Sequence, residues 1–271
     1  MLTNFETMFT DVNDKVGTIA GEVSKTPSTW NSGIFDMIKT LSDNVMIPIA
    51  GMIISFVLVY ELISMVIDKN NLHDFNTAIF IRFFMKACIA VMLLSKTFDI
   101  VMAVFDVGSH IVNSAASAIT GSTSIDVAST LQTMFNEQFS EMSIGELLGL
   151  GMETMIVSLC MKIMSVLITV ILYGRMIEIY LYVSVAPVPC ATVTNREWGT
   201  IGTNYFKGLC ALAFQGFFMM VCVAIYAVLV AGVAVSDNLH TALWSVAAYT
   251  VILCFSLFKT GSLSKSIWNA H

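Results

Sequence analysis

The chain has 271 residues, of which 56% are hydrophobic and only 12% charged, and its mean hydropathy is +0.80. Soluble domains carry about 25% charged residues, so the composition excludes a soluble fold. It predicts an all-α polytopic membrane protein, in which helices satisfy their own backbone polar groups. The net charge of -6 excludes a broad nucleic-acid surface, which needs clustered Lys and Arg, and leaves a narrow contact open.

Residues 1–43 are amphipathic. Leu2, Phe5, Met8, Phe9, Val12, Val16, Ile19 and Val23 recur at steps of three and four, and Trp30, Ile34, Met37, Ile38 and Leu41 repeat the pattern after KTPST. Each stripe needs a partner, whether the membrane interface, another subunit or the rest of the chain. The first residues have neither a basic n-region nor an apolar core, so insertion is expected through the first true span.

The predicted spans are residues 45–67, 83–105, 152–173, 208–236 and 239–258. Glu61 interrupts the first near one end. Lys96 and Asp99 fall inside the second at i, i+3. They read either as a structural ion pair or as a polar wall facing a pore. Between the second and third spans, residues 106–147 form an acidic segment, and no Lys or Arg occurs from Thr97 to Met161. That absence places the segment on the non-cytoplasmic side, because Lys and Arg are biased inward.

The span count turns on GRMIEIYLYVSVAPVP, Gly174 to Pro189. A hairpin at Gly174–Arg175 would give six spans and a helix running through it five. The charge rule barely separates the two. The missing basic residues upstream, and helix-favouring residues on both sides of one glycine, favour five. Residues 174–204 then form a cytoplasmic-side extension, carrying Arg175 and Glu178 and stopped by Pro187 and Pro189. The N-terminus is external and the C-terminus cytoplasmic on this reading.

No catalytic constellation is present: there is no GxxxxGKS, GxSxG or HExxH. Hence no enzyme activity and no cofactor are expected. The six cysteines lie in apolar stretches without a CxxC pair, and the four histidines lack metal-ligand spacing. The candidates for function are polar residues in apolar surroundings: Glu61, Lys96, Asp99, Glu153, Lys162, Arg175, Glu178 and Gln215. Many such residues merely join helices. Lys162, inside an uninterrupted apolar helix, needs a carboxylate, a carbonyl or water, and Asp99, Glu61 and Glu153 are the carboxylates available to it.

The run from Arg175 to Gly216 resembles the central block of the TrbL-like family. These are polytopic inner-membrane channel subunits of conjugative type IV secretion systems. The matching residues are Arg175, Glu178, Ala186, Pro187, Tyr205, Lys207, Gly208 and Gln215. The resemblance implies a homo-oligomer in the bilayer of the cytoplasmic membrane and energy from partner secretion ATPases. It also implies a membrane-anchored assembly factor beside it and transient contact with translocating DNA. On that reading Arg175, Glu178, Pro187, Pro189, Arg196 and Lys207 are structural or partner-contact residues on the cytoplasmic side. The alternative is a small ion-coupled secondary transporter, with Lys96, Asp99 and Lys162 as ion or proton sites.

Overall fold

A computed structural model describes residues 17–67, 77–120, 143–233 and 239–270. The first part of the N-terminal stripe and residues 121–142 of the acidic segment lie outside the described residues. Among those described, the secondary structure is entirely helical: α1 (17–24), α2 (Pro27–Trp30), α3 (Ser32–Leu41), α4 (Ile47–Ile67), α5 (Thr77–Ser95), α6 (Thr97–Thr120), α7 (Ile144–Val185), α8 (Pro187–Thr192), α9 (Gly199–Val233) and α10 (Leu239–Ile267). Five helical stretches among the described residues are long and apolar enough to cross a membrane: Ser32–Ile67, Thr97–Ile119, Ile144–Val185, Gly199–Val233 and His240–Ile267. The protein is all-α and polytopic.

Three local features follow from sequence. A π-turn, Ser42–Met46, joins α3 to α4, with the Ile47 N–H donating to the Ser42 carbonyl. Pro48 follows immediately; it has no N–H to give and its ring crowds the preceding turn, and a wider turn accommodates both. The window 83–105 is divided at Lys96, where α5 ends and α6 begins. Thr97 Oγ1 donates to the Leu93 carbonyl at 2.7 Å and Ser95 Oγ to that of Met92 at 3.0 Å. Such back-bonding competes with the helical ladder at this junction. Third, α7 runs unbroken through Gly174 to Val185, so no hairpin forms at Gly174–Arg175. It stops where Pro187 opens α8 at the position that tolerates a missing N–H.

The chain divides into two compact units. The first holds residues 1–25, 108–175 and 214–263. Its core gathers Ile19 and Val23 of α1, Val112 of α6, Leu150, Val157 and Ile168 of α7, Met219 and Val223 of α9, and Leu243, Val246 and Leu257 of α10. The second holds residues 26–107, 176–213 and 264–271. One of its cores packs Ile38, Phe98, Val101 and Phe105 with Met176, Ile179, Tyr180, Val183 and Leu209. The other packs Ala50 and Ile54 of α4 against Ala90 and Leu94 of α5 and Ala191 of α8. Of the described stripe residues, Ile19, Val23 and Ile38 are buried and Trp30 and Ile34 packed within this chain, whereas Met37 and Leu41 are exposed.

In the second unit α8 and the turn after it approach α9 too closely for a side chain at Gly202. A Cβ there would lie 2.6 Å from the Pro189 carbonyl oxygen and 2.3 Å from Val193 Cγ2. Gly202→Ala is expected to destabilise the protein by about 1–3 kcal/mol, the usual range for overpacking. A lowered thermal midpoint in detergent checks this, and an unchanged one refutes the close approach.

Candidate functional site

Arg175 lies on α7 in the first unit and is only 7% exposed. Its Nη1 donates to the Val23 carbonyl at 3.4 Å, and its Nε has no hydrogen-bond partner. The guanidinium packs over Gly216, where an added Cβ would come within 2.9 Å of Nη2. Among the described residues no carboxylate pairs with it. What it meets is the C-terminal end of α1, whose exposed carbonyls carry partial negative charge. Ser109 Oγ donates to the next carbonyl, that of Ser24, at 2.5 Å. Arg175 and Ser109 thus close the end of α1.

Gln215, in the same unit, is 6% exposed. Its Nε2 donates to Thr260 Oγ1 at 3.5 Å, and its Oε1 is buried without a partner. The Gln215 amide also packs against Gly261. At Glu153, Oε2 meets His240 Nδ1 at 2.6 Å.

Lys162 is exposed and forms no hydrogen bond or ion pair among the described residues. Each carboxylate that its sequence context offered is engaged elsewhere: Glu153 with His240, Asp99 with Lys96, Glu61 with Lys86. Lys96 and Asp99 pair at 3.2 Å with side chains 65% and 68% exposed. They form a pair along α5–α6 rather than a bridge between helices.

The second unit holds a polar cluster that sequence reading reached only through Glu61. Glu61 is 8% exposed and accepts from Lys86 Nζ and, at 3.2 Å, from Asn195 Nδ2. Asn195 Oδ1 in turn accepts from the backbone N–H groups of Glu197 and Trp198 at 2.8 and 2.9 Å. Glu197 receives the Tyr60 hydroxyl at 2.8 Å, and the Trp198 ring stacks on both Phe56 and Tyr60. The turn before α9 is thereby tied to α4. Asn195 and Lys86 are distant in sequence from Glu61, and no periodicity links them.

Glu178 turns away from Arg175 and accepts from Lys265 at 2.7 Å. Tyr180 donates to the Pro27 carbonyl at 2.7 Å. Pro187 is buried and Pro189 half-buried; the Pro189 carbonyl accepts from Thr192 Oγ1. Burial pushes the Cys190 thiol in α8 above its ordinary range. Arg196 is exposed and Lys207 half-buried, and neither forms an ion pair among the described residues. Also among the described residues, no group of three His, Cys, Asp or Glu could hold a metal ion.

Glu61, Asp99, Glu153 and Glu178 are held in separate pairs and Arg175 at a helix end, in an all-α multi-pass membrane protein. Residues 12–187 match the family described as TrbL/VirB6 plasmid conjugal transfer like protein, and the chain belongs to that family. The match takes in Arg175, Glu178, Ala186 and Pro187; Tyr205, Lys207, Gly208 and Gln215, which also carry the resemblance, lie beyond it. No curated protein and no solved structure matches the chain.

Proposed function

We propose that the chain is a membrane channel or scaffold subunit of a conjugative type IV secretion machine. The family match over residues 12–187 carries this reading. Several copies surround a path for DNA and protein through the cytoplasmic membrane. Energy comes from partner ATPases, a membrane-anchored assembly factor sits beside the subunit, and the chain itself catalyses nothing. Family membership favours this role over the ion-coupled transporter. Deleting the gene from its conjugative element is expected to drop DNA transfer to background, with complementation restoring it; unchanged transfer would refute the assignment.

The proposed orientation has the C-terminus in the cytoplasm and the N-terminus outside. Reporter fusions at Asn195 and at the C-terminus are expected to give cytoplasmic signals, and one near residue 121 an external signal.

A further inference from the structure

We propose that one face of α7 borders a water-filled path rather than lipid, and that Lys162 is the cation this path presents to a polyanion. The proposal rests on the conjugal-transfer reading for the identity of the polyanion, not for the contact with water.

On α7, Leu148, Met155 and Lys162 recur at steps of seven, and so do Met152, Leu159 and Val166. The five apolar members are between 62% and 78% exposed, and Lys162 is exposed with them. The spacing is that of one seam on a helix, four and three residues apart. None of the described residues of the first unit covers it. A seam of this composition facing lipid would be ordinary without Lys162. With it, the helix would hold an unpaired ammonium in hydrocarbon, which is costly.

Escape to the interface is not available. Glu153 and Arg175 bracket the uncharged parts of α7, nine and thirteen residues from Lys162. At 1.5 Å per residue these are about 14 and 20 Å, and together they match a hydrocarbon core about 30 Å thick. A lysine side chain is much shorter than either distance. Nor does a described carboxylate neutralise it: α9 and α10 contain no Asp or Glu, and Glu153, Asp99 and Glu61 are paired with other residues. An intramembrane charge without such a partner characteristically faces a water-filled cavity. Repeated around a ring of copies, Lys162 forms a band of positive charge, the arrangement that phosphate- and anion-conducting pores use. Nucleic-acid phosphates suit it, because a band of ammonium charges attracts any sequence equally.

The test uses the full-length chain in native membranes, with its six cysteines replaced by alanine or serine. If that background fails to accumulate, the same variants are read against wild-type labelling. Leu159→Cys and Val166→Cys keep Lys162 in place. Both are expected to react with water-soluble charged methanethiosulfonates, the anionic reagent several-fold faster than the cationic one. Adding Lys162→Gln is expected to abolish that preference. Ile168→Cys, on the buried face at 2% exposure, is the unreactive control. Reaction of Leu159→Cys and Val166→Cys only with a lipid-soluble maleimide overturns the water-facing assignment. Equal rates for both charged reagents overturn the role of Lys162. DNA transfer is read separately: Lys162→Arg is expected to retain it and Lys162→Glu to lose it. If gene deletion leaves transfer unchanged, the conjugal reading falls, and the labelling still decides whether α7 faces water.

Discussion

Lys86→Met is expected to destabilise the protein towards the lower end of the about 3–5 kcal/mol that follows when one member of a buried ion pair is removed. Glu61 is 8% exposed and holds Lys86 and Asn195 together. Without Lys86 its buried carboxylate keeps one long amide contact. The lower end applies because the Lys86 side chain is 43% exposed, so water screens part of the interaction. The damage should spread to the turn before α9, since Asn195 links Glu61 to the backbone of Glu197 and Trp198. A thermal midpoint in detergent measures the loss. The double variant Glu61→Gln/Lys86→Met should recover most of it, because a neutral amide needs no counter-charge. Equal stability of the single and double variants would show that the pair does not hold this unit together.

Arg175→Glu is expected to prevent accumulation of folded protein, whereas Arg175→Met leaves it within about 1.5 kcal/mol of wild type, as apolar replacements of similar volume do. The buried guanidinium has no carboxylate partner among the described residues and leaves Nε unsatisfied. Its removal therefore relieves a desolvation cost while losing one long hydrogen bond. A glutamate there would place an unpaired negative charge against the negative end of α1. The two variants separate the need for positive charge at α1 from the need for bulk beneath Gly216. Arg175→Met should also loosen α1, seen as faster tryptic cleavage after Lys25. If Arg175→Met were as damaging as Arg175→Glu, the guanidinium would be holding the fold through more than the contact with Val23.

The sequence by itself determined the class of this protein. Its scarcity of charge and long apolar runs leave no soluble solution, and an isolated helix is the simplest structure that closes its own hydrogen bonds in lipid. The continuity of α7 through Gly174 was also legible locally, because one glycine among helix formers does not end a helix, and a proline pair does. The division between α5 and α6 at Lys96 was less so. It coincides with side-chain hydrogen bonds of Ser95 and Thr97 to the preceding turn, which hydropathy does not register.

What each polar residue does was decided only by tertiary structure. Arg175 and Glu178 sit three apart, a spacing that suits a pair, yet one meets the end of α1 and the other Lys265. Glu61 finds its partners at Lys86 and Asn195 through packing of α4, α5 and the turn before α9. Lys162 is the converse case: sequence marked it as a charge in need of a partner, and the fold gave each candidate carboxylate to another residue. Hydrophobic periodicity is a property of one helix, so it can be read along the chain. Charge pairing is a property of two elements brought together, and nothing along the chain encodes which two meet.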